Sequence, residues 1–144
     1  MAVTVPVGEI DARKRTLIDV TKQACESAIS QLTPGTSVRD IGRLGQTIVE
    51  KNGFSIVRDF VGHGIGKKLH EDPQIPNFVD RRFPNYTLKS GMCLAIEPMV
   101  AVGRGDVDVL SDGWTAVTAD GSLSAHWEHT VVITKDGADI ITQC

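Results

Sequence analysis

With 144 residues, the chain is the length of one ordinary globular domain, able to bury about two-thirds of its unfolded surface in a single core. Hydrophobic residues make up 41% and charged residues 23%, with no repetitive tract, which excludes a disordered or fibrous chain. The formal net charge of −3, with basic residues scattered, argues against an electrostatically driven nucleic-acid binder. No apolar stretch approaches the roughly 18 residues needed to cross a bilayer, and MAVTVPVGEI lacks the basic start and apolar run of a secretory signal. The expectation is a soluble cytoplasmic protein.

In chain order, Leu17, Val20, Ala24, Ala28 and Leu32, flanked by Ile18, Cys25 and Ile29, recur at helical spacing from Asp11 to Leu32. They predict an amphipathic helix that Pro34-Gly35 stops. Ser37 followed by Asp40 reads as a capping pair for a second helix, with Val38, Ile41, Leu44 and Ile48 along one face and Asn52-Gly53 at its end. Gly42 and Gly45 weaken that helix by about 1 kcal/mol each relative to alanine unless close packing needs them.

After Phe54 the helical period disappears, and short apolar runs alternate with turn signals at Gly62-His63-Gly64, Pro84-Asn85, Lys89-Ser90-Gly91, Asp112-Gly113, Asp120-Gly121 and Asp136-Gly137. The candidate strands are Phe54–Val61, Met92–Glu97, Val107–Leu110, Trp114–Thr118, Ser124–Thr134 and Ile140–Thr142. Two helices followed by a run of strands predict an α+β fold, the helices packed on one face of a largely antiparallel sheet, with no linker, repeat or second domain. The three cysteines, Cys25, Cys93 and Cys144, form no Cys-x-x-Cys pair. Neither a disulfide framework nor a zinc finger is indicated, and Cys25 and Cys93 read as buried thiols.

Two carboxylates interrupt apolar runs. In Ser124–Thr134, strand alternation puts His126, Glu128 and Thr130 on one face and Trp127, His129 and Val131 on the other. Glu128 is then costly to bury unless it is paired, protonated or bound to a metal. Its alternative is a water-facing position on an edge strand. Glu97 ends the apolar run from Met92 in the same way, and two inward carboxylates with an imidazole suit divalent ions. His63, between two glycines, and His70, in Leu69-His70-Glu71-Asp72-Pro73, are the available imidazoles. The alternative for that segment is a tight turn with surface histidines. The Gly-x-Gly spacing is no dinucleotide fingerprint, because no strand-to-helix unit surrounds it.

Taken in order, Gly62-His63-Gly64-Ile65-Gly66, Leu69-His70-Glu71-Asp72-Pro73-Gln74, Gly91-Met92 with Ile96-Glu97-Pro98-Met99, Asp112-Gly113-Trp114-Thr115 and Ser124-Ala125-His126-Trp127-Glu128-His129-Thr130 resemble the carboxy-terminal part of type I (bacterial-type) methionine aminopeptidases. The resemblance runs over essentially the whole chain, including Val7-Gly8-Glu9-Ile10 and Pro34-Gly35. It implies a pita-bread fold, incomplete at the amino terminus, forming one partial catalytic domain over residues 1–144. It also implies two divalent ions (Co, Mn, Fe or Zn) and removal of amino-terminal methionine from nascent polypeptides by metal-activated hydroxide attack on the scissile carbonyl. Residue by residue, it makes His63, Glu97 and Glu128 metal ligands, with Glu128 bridging the ions and Glu97 also a catalytic proton shuttle. His70 becomes a catalytic donor that contacts the substrate, and Leu69 and Trp114 wall the methionine pocket.

The implied partners are amino-terminal methionyl peptides and the ribosome, with no nucleic acid or membrane, and an exposed sheet edge invites self-association. The family draws two further aspartate ligands from a segment preceding Ala2–Gly8. The expectation is therefore weakened metal binding by this chain and an activity that the isolated chain need not retain. Two other readings stay open: a non-catalytic pita-bread remnant that binds or assembles, and an X-Pro-type pita-bread peptidase, against which Trp127-Glu128-His129-Thr130 and Asp112-Gly113-Trp114-Thr115 speak.

Overall fold

The computed structural model describes residues 1–143, so Cys144 lies outside the described residues. Helix α1 (Ala12–Ser30) starts where the Asp11 side chain accepts a hydrogen bond from Lys14 N at 2.9 Å. It buries Leu17, Val20, Thr21, Ala24, Cys25, Ala28 and Ile29. Helix α2 (Val38–Lys51) is capped by Ser37, whose hydroxyl accepts from Asp40 N and donates to the Asp40 carboxylate.

The buried face of α2 is Val38, Ile41, Gly42, Gly45 and Val49, so the expected face is rotated: Leu44 and Ile48 are only half-buried. The two glycines cause the rotation. A methyl group at Gly42 would overlap the backbone oxygens of Phe78 and Pro76, whereas one at Gly45 would meet only Asn77 O, at 3.3 Å. Gly42→Ala is expected to destabilise the chain by about 1–3 kcal/mol, although alanine gains about 1 kcal/mol in helix propensity. Gly45→Ala should be near neutral. Urea denaturation of the two variants checks this; equal stability would mean that the approach of residues 76–78 does not decide the packing.

The strands are β1 (Ser55–Ile56), β2 (Gly62–Gly64), β3 (Glu71–Ile75), β4 (Cys93–Ile96), β5 (Met99–Ala101), β6 (Val107–Val109), β7 (Ala116–Thr118), β8 (Ser124–His126), β9 (His129–Ile133) and β10 (Ala138–Ile140). They form a five-stranded sheet of order β10-β9-β4-β2-β3, a three-stranded sheet β1-β5-β8 and a hairpin β6-β7. All the ladders are antiparallel, as the α+β expectation required.

Four local expectations are corrected. Gly62-His63-Gly64 is a strand between β4 and β3, not a turn. Its glycines permit close backbone approach, since a Cβ at Gly62 would overlap Ala95 O and one at Gly64 would overlap Asp72 O. Glu71–Ile75, which no alternation signals, forms the sheet's edge strand, the place where a strand tolerates Pro73. The run Ser124–Thr134 is broken at Trp127-Glu128 into β8 and β9. Cys93, at the start of β4, is half-buried rather than buried.

Each sheet covers its own apolar cluster, and α1 spans both. Cys25, Ala28, Ile29 and Leu32 pack with Leu94, Ile96, Val131 and Ile133 of the larger sheet. Leu17, Val20 and Ala24 pack with Val100 and Ala125 of the smaller one. The seam between the clusters runs where β4 passes into β5 and β8 into β9.

Candidate metal centre

At that seam a two-stranded ribbon changes sheets. Ile96 pairs with His129 in the larger sheet and Met99 with His126 in the smaller one, which leaves Glu97-Pro98 opposite Trp127-Glu128. Trp127 N donates to Pro98 O at 3.3 Å, and Glu128 N donates to Ala2 O at 2.8 Å. Both carboxylates therefore stand at the same break in pleating, on backbone tied at each side. Leu94 and Ile96 fill the core beneath the helices, so alternation turns Ala95 and Glu97 to the other face. Asn77, 4% exposed, donates from Nδ2 to Glu97 O at 3.2 Å. Nothing in the sequence around Pro76-Asn77 signals this contact.

His63 enters from β2, paired with Ala95 on β4 and with Gln74 on β3. Its Nδ1 lies 2.9 Å from Gly64 O. A carbonyl only accepts, so Nδ1 donates, and Nε2 lies 3.6 Å from Glu97 Oε1. A backbone carbonyl fixing the distal N–H of an imidazole is the support that metal-ligating histidines ordinarily receive. His70 sits edge-on to His63, ring centroids 4.2 Å apart. Both line a cleft of about 560 Å³ with Val61, Lys68, Glu71 and Asp72.

The other Glu97 oxygen, Oε2, is 3.4 Å from His126 Nε2. Glu97, His126 and Glu128 each offer one donor atom, all within 4.8 Å of one another. Glu128 Oε2 is also 3.3 Å from the Met1 nitrogen. His126 Nε2 is buried and has no hydrogen-bond partner, which is costly for an imidazole nitrogen unless a ligand takes it up. The donor set of two carboxylates and two imidazoles suits a first-row divalent ion, and the orphaned nitrogen beside desolvated carboxylates is what such an ion would satisfy. The residues present fit a divalent metal. His126 was not expected among the donors; its signal was its place on the face of Glu128.

Residues flanking Glu128 anchor it from the opposite face. Trp127 Nε1 donates to His129 Nε2 at 3.2 Å, which leaves His129 Nδ1 to donate to Thr142 Oγ1, also at 3.2 Å. Lys22 Nζ of α1 lies 5.2 Å from the Trp127 ring centroid. Leu69, 69% exposed, precedes His70 in the chain and is not among the residues that line the cleft. Trp114, 88% exposed, sits at the tip of the β6-β7 hairpin, where Asp112 Oδ1 accepts from Trp114 N and Thr115 N. A hydrogen bond from the Thr115 hydroxyl, reinforced by those two, holds the Asp112 carboxyl below the usual range. Burial pushes the Cys25 thiol up to about 12, and it donates to Ile96 O at 3.3 Å. It stays protonated and serves packing rather than nucleophilic chemistry.

Residues 1–135 match metallopeptidase family M24. A methionine aminopeptidase of Clostridium perfringens is 50% identical over 139 residues, 96% of this chain and 55% of that protein. The crystal structure of methionine aminopeptidase from Thermotoga maritima superposes with a TM-score of 0.93 at 50% identity, covering 99% of this chain and 57% of that one. The chain thus spans about half the length of the relatives it matches. Prolidase from Pyrococcus furiosus, 23% identical with a TM-score of 0.70 over 97% of this chain and 35% of its own, shares the fold. The α+β architecture is accordingly the pita-bread fold. No helix among the described residues is long and apolar enough to cross a membrane. On the family match and the donor cluster at the ribbon crossover, the chain belongs to metallopeptidase family M24.

Proposed function

We propose that this chain carries catalytic residues of a metal-dependent aminopeptidase that removes amino-terminal methionine from polypeptides. The observation that carries the reading is the convergence of His63, Glu97 and Glu128 at the ribbon crossover with His70 packed on His63. Support for methionine as the leaving residue comes from the likeness to methionine aminopeptidases at 50% identity. His63, Glu97 and Glu128 are the residues that would hold divalent ions such as Co, Mn, Fe or Zn. The ions, when bound, supply Lewis-acid activation of water and of the scissile carbonyl.

Glu97 takes the proton from the attacking water on a carboxylate oxygen and returns it to the leaving amine. His70 donates a hydrogen bond to the carbonyl oxygen as negative charge develops there, an interaction worth about 3 kcal/mol in comparable sites. Leu69 and Trp114 contact the methionine side chain.

The test is methionine release from Met-Ala-Ser by the folded chain with Mn(II) or Co(II), against Ala-Pro as the competing substrate. Metal-dependent release from Met-Ala-Ser alone is the expected result. Cleavage of Ala-Pro instead would favour an X-Pro peptidase, neither reaction from a folded, metal-loaded sample would mean that the residues present do not suffice for the reaction, and failure of the folded chain to bind metal would favour a binding or assembly module. His70→Ala should lower kcat about 10²–10³-fold with little change in KM. A pure rise in KM would remove the oxyanion role.

A further inference from the structure

We infer that the ribbon carrying Trp114 is jointed at residues 103–105 and 120–122, and that the Asp120 carboxylate is the latch that fixes the outer hairpin, and Trp114 with it, at one angle to the core. The bearing of this on methionine recognition rests on the contact proposed for Trp114 above; the joint and its latch do not.

The β5-β8 pair and the β6-β7 hairpin are two stretches of one antiparallel ribbon. Ala101 pairs with Ser124, and six residues away on each strand Val107 pairs with Thr118, so the register is the same on both sides of the interval. Backbone bonds extend the ladder into it from either end, Val102 N donating to Leu123 O and Ala119 N to Asp106 O, both at 2.9 Å. In the middle, side chains take the ladder's place. Arg104 N donates to Asp120 Oδ2 at 2.7 Å, Ser122 N to Asp120 Oδ1 at 2.9 Å and Gly103 N to Ser122 Oγ at 3.1 Å. Gly121 makes the return with φ at +71°.

The joint lies between two stiff pieces. The inner stretch is part of the three-stranded sheet, and Gly105 abuts the end of β1 so closely that a Cβ there would overlap Ile56 O. At the outer tip Asp112 accepts from Trp114 N, Thr115 N and the Thr115 hydroxyl, so Trp114 travels with the hairpin. β6 and β7 pair only with each other, and a two-stranded hairpin has little stability of its own. Its inward face, Val107, Ala116 and Thr118, looks onto Val57, Phe60 and Met99 across a cleft of about 220 Å³. Close packing therefore does not set the angle of the hairpin, and the bonds across the joint do. Asp120 dominates them because its two oxygens tie the inbound strand to the outbound one. The Arg104 amide, followed by the Ser122 hydroxyl and amide, holds the Asp120 carboxyl down at about 2, so the latch is ionised and its bonds are charge-assisted.

The experiment measures backbone residual dipolar couplings of the folded 144-residue chain in a weakly aligning medium, for the parent, D120A, G103A and D108A. G103A keeps the carboxylate but pushes it off Arg104 N, since the added Cβ would overlap Asp120 Oδ2. D108A removes a carboxylate from the hairpin without touching the joint. In the parent and D108A one alignment is expected to fit β5, β6, β7 and β8 together. In D120A and G103A the couplings of β6 and β7 are expected to shrink relative to those of β5 and β8 while still fitting the hairpin's own geometry, as for a stiff piece set free. A single alignment in all four proteins overturns the latch, and so do separate alignments in the parent. Loss of the hairpin's amide dispersion in both D120A and G103A overturns it as well, since Asp120 then folds the hairpin rather than positions it; G103A decides alone should D120A not fold. Adding Met-Ala-Ser to the parent tests the other reading separately: a Trp114 indole N–H resonance that moves supports the methionine contact, and one that stays put removes that contact without touching the joint.

Discussion

Glu97→Gln should cut stabilisation of the chain by divalent metal by about half or more while leaving the metal-free melting temperature unchanged or higher. The two halves of this expectation have different causes. Glu97 is 13% exposed and has an imidazole nitrogen near each oxygen, at distances too long or too poorly aimed for hydrogen bonds. A desolvated carboxylate without good partners opposes folding. Glutamine has nearly the same shape and no charge, so the substitution removes that penalty without opening a cavity. The site is thus one where stability is given up for binding capacity.

With metal present the balance reverses. An ion bound only to the folded chain stabilises it by about 2.7 kcal/mol at a hundredfold excess over Kd, which for a domain of this size is a rise in Tm of roughly 5–10 °C. Glu97→Gln removes the charge that faces both histidines and should lower Co(II) affinity at least tenfold, by comparison with the 10–100-fold cost of losing mere supporting groups around metal ligands. Thermal melts of parent and variant, each with and without Co(II), separate these effects. An equal metal-induced rise in both proteins would remove Glu97 from the site. A marked drop in the metal-free Tm of the variant would show that the carboxylate is held by favourable pairing with protonated histidines.

The sequence makes these carboxylates visible because each interrupts an apolar run, and both helices are visible because period, caps and stops agree. What escaped it is long-range. Nothing local breaks the run Ala125–Val132; the break at Trp127-Glu128 comes from Ala2 and Pro98, whose backbones engage Glu128 and Trp127. His126 lay on the correct face, yet its value as a donor depends on Glu97, which reaches it only through the β4-β5 crossover. The rotation of α2 followed from residues 76–78 lying against Gly42, a contact that helical periodicity cannot register. The edge strand Glu71–Ile75 was hidden by Pro73, which lowers strand propensity everywhere except at an edge. Most instructive is Gly62-His63-Gly64, since glycine marks turns and close backbone approaches alike, and only the neighbouring strands decide between them.

Those neighbours make Gly62→Ala the second large effect: a loss of about 3 kcal/mol of stability together with weakened metal binding, although Gly62 has no donor to offer. β2 runs between β4 and β3. A Cβ at Gly62 would overlap Ala95 O and lie 3.2 Å from Ile75 O and 3.3 Å from Ile75 Cβ. Ala95 O and Ile75 O belong to backbone within a five-stranded sheet, so neither can rotate aside, and relief requires β2 itself to move. That movement carries His63, the next residue, away from Glu97, and a metal site tolerates only about 0.2 Å of error in its ligand distances. Gly66→Ala is the matched control. The atoms nearest its Cβ would be the carboxylate end of Glu71, a flexible side chain that can swing away at the cost of its hydrogen bond from Lys68 N, about 1 kcal/mol. Urea unfolding and Co(II) titration of both variants test the link between strand spacing and ligand geometry. If Gly62→Ala loses stability but keeps full metal affinity, His63 is either not a ligand or not positioned by β2.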